Sequence, residues 1–355
     1  MNRSLINWFS LIKRELVIFY KSQKFYLILV AIAMALIVPP FLSTYVVNQV
    51  LASILIFAIY ASSWNLLASS GQGSLGHAAF LGIGGFVSAL IAIKLGIPPI
   101  FALFLGGLLS AAVGFLIGLT CVRLKAWFLA MVTFGFSVII VTIFSELDEF
   151  TGAVMGFPTP LIADRGLPFY YVTFTIAAVS ILAMYIVMKS KIGLAFKAIH
   201  QNESEAKMIG INTPKYRLIA FVISTFFAGL AGGLFAQSIQ FIDRTVFSAE
   251  YSFLPLMICV IGGLGTIEGP LIGSAIIVTI DSYLPAIDDL LHGLIGRDGL
   301  LPLFPAVSHV GPPLRMLGLG LFLLVIVIFA PNGVTPLLKK AYNYLRESLK
   351  EEKST

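Results

Sequence analysis

Two ionisable side chains, His77 and Glu268, stand within or beside the long apolar stretches of this chain. Ionisable groups inside membrane segments mark proton relays or ion paths. Both lie at glycine-rich interruptions. The first reads Ser69-Ser70-Gly71-Gln72-Gly73-Ser74-Leu75-Gly76-His77-Ala78-Ala79-Phe80; the second reads Gly262-Gly263-Leu264-Gly265-Thr266-Ile267-Glu268-Gly269-Pro270. Backbone N–H and C=O groups freed at such breaks can line a polar passage that an intact helix could not. The candidates for a path are therefore Gln72, Ser74, Gly76, His77, Gly263, Gly265 and Glu268. A second reading stands beside this one. Small residues also let helices pack closely, which is the reading preferred for Gly82, Gly84, Gly85, Gly106, Gly107 and Gly118. His77 also suits a satisfied buried or interfacial histidine, and Glu268 a position at the cytoplasmic interface.

Other chemistry is missing from the sequence. No G-x-x-x-x-G-K-[ST] phosphate loop occurs, nor H-E-x-x-H, Cys-x-x-Cys or G-x-S-x-G. The histidines (His77, His200, His292 and His309) lack metal-ligand spacing. Cys121 and Cys259 lie far apart in or beside apolar runs, which argues against a disulfide framework. The expectation is a chain with no catalytic residue, metal or cofactor of its own. If it transports a solute, another subunit supplies the energy.

The elements that would hold these breaks are membrane helices. The chain has 355 residues, 58% of them hydrophobic and 11% charged, against about 25% charged in soluble domains. Apolar spans fall at 25–42, 47–68, 78–93, 97–119, 126–145, 170–188, 218–240, 252–280 and 315–331. Most match the ~20 residues needed to cross a bilayer. The glycines and Pro270 break 252–280 into short passes over 252–265 and 268–280, spanning or re-entrant. The fold class is thus an all-α polytopic membrane protein with about 8–10 passes, some of them glycine-broken. With 252–280 as a hairpin, 18 of the 23 basic residues fall on one side together with both termini. The positive-inside rule makes that side the cytoplasm. The domain reading is an amphipathic cytoplasmic arm at 1–24 and a transmembrane domain at 25–335, followed by a cytoplasmic tail at 336–355. Loops at 146–169 and 281–314 lie outside, and a loop at 189–217 lies inside. The net charge of +6 sits in short inter-span segments, which gives no reason to expect nucleic acid.

The inner loop contains the polar island GLAFKAIHQNESEAKMIGIN at 193–212. Leu194, Ala198, Ile199, Ala206 and Ile209 suggest a short amphipathic helix and a turn, with Lys197, Glu203, Glu205 and Lys207 facing water or a partner. The pattern fits a solvated connection and a docking surface alike.

Four segments together carry a resemblance: GLAFKAIHQNESEAKMIGINTPKYRLIAFVISTFFAGLAGG (193–233), SSWNLLASSGQGSLGHAAFLGIGGF (62–86), VIGGLGTIEGPLIGSAI (260–276) and RMLGLGLFLLVIVIFAPNGV (315–334). In this order the chain resembles the branched-chain amino acid permeases of ABC importers, specifically the second, M-type permease of the pair. The resemblance implies an ABC-importer permease fold in a prokaryotic plasma membrane. It also implies a coupling loop seated in a cleft of an ATP-binding subunit, with Gly193, Lys197, Ala198, Ile199, Asn202, Glu203, Ala206, Gly210 and Ile211 as coupling residues. The implied partners are a second permease subunit in a heterodimer, two ATP-binding subunits that hold ATP and Mg, and an extracytoplasmic solute-binding protein. Two positions depart from the family pattern: Lys207 stands where a small residue is frequent, and His200 where an arginine is frequent. The stretch 281–314 is longer than the family norm and is expected to meet the binding protein.

The resulting expectation is a transporter subunit, not an enzyme, moving branched-chain amino acids by alternating access. Permeases for urea, amides or sugars share the loop. An ion-coupled secondary transporter is a further alternative, since sodium sites can be built from carbonyls.

Overall fold

The computed structural model describes residues 33–124, 126–152 and 154–295, together with 320, 324, 328, 330 and 333–336. The N-terminal arm at 1–24, the first eight residues of the 25–42 span, most of the 315–331 span, residues 296–314 of the 281–314 stretch and nearly all of the tail lie outside the described residues. Among the described residues, six helices are long and apolar enough to cross a membrane. They are α1 (Val46–Ala68), α2 (His77–Lys94), α3 (Pro99–Cys121), α4 (Ala126–Glu146), α5 (Leu167–Lys189) and, after two short helices, α8 (Thr213–Ile239). The short helices are α6 (Lys191–Gln201) and α7 (Glu203–Met208). Two further helices, α9 (Ala249–Gly262) and α10 (Gly269–Ile295), form the hairpin expected at 252–280. One boundary differs from expectation. The α10 backbone stays helical to Ile295, so the start of the 281–314 stretch continues a helix and is not loop.

Helices α1, α2 and α8 form the centre of the bundle, and α3, α4 and α5 flank it with apolar faces such as Leu108, Met131 and Val179 turned outward. Lipid tails are as apolar as leucine, so burial alone does not drive helices together inside a bilayer; close packing and hydrogen bonds do. Glycine supplies the packing. A Cβ at Gly84 would overlap the Gly229 backbone, and one at Gly232 would overlap the Leu81 carbonyl. Glycine contacts of this kind join α2 to α8, and Gly82, Gly85, Gly106, Gly107 and Gly118 all meet close neighbours as well. Serines add polar links. The Ser110 hydroxyl reaches the carbonyls of Phe80 (3.1 Å) and Thr225 (2.9 Å), tying α3 to α2 and α8. Ser224 donates to the Ser63 carbonyl at 2.7 Å, tying α8 to α1.

The helix ends fall into two groups. At one end, strand β1 (Phe157–Pro158) pairs antiparallel with β2 (Phe241–Ile242). Phe247, in the turn after β2, stacks on Phe86 with centroids 5.6 Å apart. At the other end, residues 69–76, the turn 122–124, the helices α6–α7 and residues 263–268 meet one another, the last turn of α1 or Arg217 near the start of α8.

Candidate functional site: coupling helices and glycine breaks

Local capping explains why the polar island folds as two helices joined by a tight corner. Ser190 caps α6 by accepting from the Ile192 N–H at 3.2 Å. Asn202 caps α7, accepting from Ser204 (3.0 Å) and Glu205 (3.3 Å) while its amide donates to Glu205 Oε1 at 2.6 Å. Asn212 caps α8 by accepting from the Lys215 N–H at 3.2 Å. Each side-chain oxygen satisfies an N–H that the helix start leaves without a partner. Helix α7 ends in a Schellman motif: Ile211 N–H bonds the Ala206 carbonyl at 3.0 Å and Gly210 N–H the Lys207 carbonyl at 3.0 Å. Gly210 sits at φ 85°, a conformation that side-chain-bearing residues rarely adopt.

The expected coupling residues divide by environment. Lys197, Asn202 and Gly210 are exposed, Ala198, Glu203 and Ile211 are half-buried, and Gly193, Ile199 and Ala206 are buried. Gly193 lets the α5–α6 corner close, because a Cβ there would overlap the Met188 backbone. Ile199 and Ala206 face inward and hold the helices to the bundle. Of the apolar residues in the pattern, Leu194 and Ile209 are exposed (63% and 73%), as is Met208 (79%). Phe196 is buried and packs inward beside Ile199. The helix pair thus shows the outside an apolar trio flanked by Lys197.

Glu203 joins this surface to the interior. Its carboxylate meets Lys207 Nζ at 2.8 Å, the Thr213 hydroxyl at 3.1 Å and Arg217 at 3.5 Å. The hydrogen bond from Lys207, helped by Arg217 and Thr213, holds the Glu203 carboxyl below its ordinary value against the opposing effect of partial burial. Arg217 itself is buried, and its guanidinium donates to the carbonyls of Val122 and Leu124 at 3.0 Å each. Those carbonyls follow the C-terminus of α3, where the helix dipole favours a cation. The Gln72 amide donates to the Arg217 carbonyl at 2.9 Å and to Ser70 Oγ at 2.8 Å. Beside it, Gly71 (φ 76°) lies against His200, at the end of α6.

Helix α1 links the two glycine breaks. Trp64 Nε1 donates to the Ser74 carbonyl of the first break at 2.7 Å. The next residue, Asn65, donates to the Thr266 carbonyl at 2.7 Å and accepts from the Gly265 N–H at 2.9 Å in the second break. In the first break Gln72, Ser74 and His77 are fully enclosed. His77 Nε2 lies 3.0 Å from Ser63 Oγ, and its ring packs beside Tyr60 and Phe80. Gly76 is pressed against the Thr133 backbone, and Leu75 N–H bonds Thr133 Oγ1 at 3.2 Å. In the second break Gly263 is buried, at φ 122°, while Gly265 and Glu268 are exposed. Gly333 abuts Gly263 there, and the Thr335 hydroxyl donates to the Gly262 carbonyl. A crevice beside the second break has Ser62, Asn65 and Ser69 on its α1 wall and Ile181 and Met184 on its α5 wall.

Sequence reasoning did not single out Trp64, Asn65, Thr133 or Arg217. Asn65 and Trp64 sit inside an apolar run, where a polar or amphipathic side chain was itself a signal of an interhelical bond.

The profile of the family described as branched-chain amino acid transport system / permease component matches residues 46–329. The high-affinity branched-chain amino acid transport system permease protein LivM of Salmonella typhimurium is 26% identical over 350 residues, covering 90% of this chain and 76% of the relative. The probable branched-chain amino acid transport permease protein LivM of Methanocaldococcus jannaschii is 22% identical, covering 67% of this chain and 68% of its own. The autoinducer 2 import system permease protein LsrC of Yersinia enterocolitica is 32% identical over 128 residues, which is 32% of this chain and 35% of the relative. No solved structure gives a significant match. The family profile thus spans both glycine breaks, the paired helices between them and all six long helices, and the chain is a multi-pass membrane protein that belongs to the branched-chain amino acid transport permease components.

Proposed function

We propose that the chain is the M-type permease subunit of an ABC importer in a prokaryotic plasma membrane, carrying branched-chain amino acids inward. The observation that carries this reading is the α6–α7 pair. It is capped at each start, tied inward through Glu203 and Arg217, and presents Leu194, Lys197, Met208 and Ile209 outward. An amphipathic helix with such a face suits a partner's groove. The partner is an ATP-binding subunit, which holds ATP and Mg and hydrolyses the nucleotide. Two such subunits, a second permease and a solute-binding protein complete the assembly. The end of the bundle bearing α6 and α7 is cytoplasmic, in keeping with the basic residues Arg123, Lys189, Lys191, Lys197, Lys207 and Lys215 gathered there. Both termini share that side.

The names of the relatives matched over most of the chain support a branched-chain amino acid as the cargo. In this reading the enclosed residues of the first break and the exposed Gly265 and Glu268 of the second border the path once the bundle rearranges. A different small solute is the second reading, favoured by the likeness to LsrC.

Reconstitution in proteoliposomes with the partner subunits tests both. ATP-dependent uptake of labelled leucine, isoleucine or valine is the expected result. Uptake without ATP or without the ATP-binding subunits would refute ABC coupling. Coupled uptake of another solute with none of these three would give the second reading precedence. Leu194→Asp with Ile209→Asp should detach the ATP-binding subunits while leaving the permease inserted.

A further inference from the structure

We propose that Arg217 is the positioning residue that links movement of α6–α7 to the first glycine break and to the α3–α4 turn. This rests on the reading that α6–α7 receive the ATP-binding subunits. Three segments remote in sequence converge on this one residue. Its guanidinium spans the carbonyls of Val122 and Leu124, both at 3.0 Å, and reaches Glu203 at 3.5 Å, while its own carbonyl holds Gln72 at 2.9 Å. The fork geometry is needed here, because a lysine ammonium is a point charge that does not reproduce a planar reach to two carbonyls and a carboxylate.

The placement also gives direction to the force. Glu203 stands in the first turn of α7, and Arg217 in the first turns of α8. A displacement of α7 pulls on the guanidinium through Glu203. The guanidinium grips the end of α3, and the Arg217 backbone grips Gln72. His200 against Gly71 is a second contact between the helix pair and the same break. Among the described residues Gln72 Oε1 and Arg217 Nε have no hydrogen-bond partner. The joint therefore keeps one spare acceptor and one spare donor, so it can re-pair within itself as the helices shift. An orphaned buried polar group is costly, and a second arrangement that satisfies it is favoured.

The test uses the full transporter in proteoliposomes and reads solute uptake per ATP hydrolysed. Arg217→Gln is expected to lower this ratio about tenfold or more, the scale of losing hydrogen bonds to a charged group. Arg217→Lys should recover part of it. Gln72→Leu leaves the ion pair intact and should lower the ratio about threefold to tenfold, the scale of one neutral hydrogen bond. Unchanged ratios in Arg217→Gln and Gln72→Leu would overturn the proposal. If Arg217→Gln uncouples but Gln72→Leu does not, the link to the break is wrong. If Arg217→Gln fails to assemble, Gln72→Leu alone decides: a lowered ratio supports the link and an unchanged one overturns it. The Leu194→Asp, Ile209→Asp variant separates the underlying reading. Full retention of the ATP-binding subunits with coupled uptake defeats the docking reading. Their loss, beside an unchanged ratio in the Arg217 and Gln72 variants, defeats this proposal only.

Discussion

Replacing Asn65 with alanine should open the second glycine break while leaving the bundle folded. Asn65 is 8% exposed and makes two bonds across the break, to the Thr266 carbonyl and from the Gly265 N–H. Alanine removes both and leaves the carbonyl and the N–H without their partner. Side-chain hydrogen bonds between membrane helices contribute about 0.6 kcal/mol on average and about 1.7 at most. Two of them amount to roughly 1–3.5 kcal/mol. At about 1.4 kcal/mol per factor of ten, the closed break loses roughly 5- to 300-fold in population. Hydrogen–deuterium exchange in lipid nanodiscs reads this directly, because the Gly265 amide is itself one of the two donors. Peptides covering 263–268 should exchange faster by that factor. Peptides from α8 should not change. Protection of 263–268 within a factor of two of the parent protein would refute the role given to Asn65.

Gly232→Val should lower the thermal unfolding midpoint of the purified permease, since its Cβ meets the Leu81 carbonyl and overpacking costs about 1–3 kcal/mol or more; an unchanged midpoint would contradict the glycine contact between α2 and α8. Ser110→Ala should give a smaller drop, about 0.5–2 kcal/mol, by removing the hydroxyl shared between Phe80 and Thr225. Glu203 sets a pH dependence with a definite sign. Its carboxyl is held below the ordinary value of 4.5, so its contribution to the α6–α7 fold is complete above that value and disappears as pH falls through the lowered one. Exchange protection of α7 should be flat from neutral pH down to about 5 and decline only in more acid solution; Glu203→Gln should abolish that decline, and a parent profile that changes between pH 7 and 5 would contradict the assignment.

The helices and both breaks were legible because their signals are local. Apolar runs of bilayer length give α1 to α5 and α8, and Gly262 to Pro270 cannot continue a helix without interruption. The paired inner helices were half legible. The resemblance implies a coupling role for Asn202, and its position before Glu203, Ser204 and Glu205 marks a helix cap. Periodicity finds an apolar stripe that includes Leu194 and Ile209 without saying which part of it a neighbour covers. In the fold, Phe196 and Ile199 fill the inward space. In the sequence, Arg217 is one more basic residue on the inner side. Its meaning depends on carbonyls 93 and 95 positions away in the chain, and nothing near it in sequence announces them. Asn65 is alike: its partners lie 200 and 201 positions away. Pairings at that separation are made by helix packing, so a sequence window cannot contain them.

Trp64 and Asn65 are neighbours on one helix, and each holds a different break. Successive residues of an α-helix point about 100° apart around the axis. A small roll of α1 in either sense therefore moves both side chains through the same angle at once. Neither break can be released by such a roll while the other stays fixed. Helix α1 acts as a common spindle, which makes simultaneous loosening at the two breaks a matter of geometry and requires no separate signal to each.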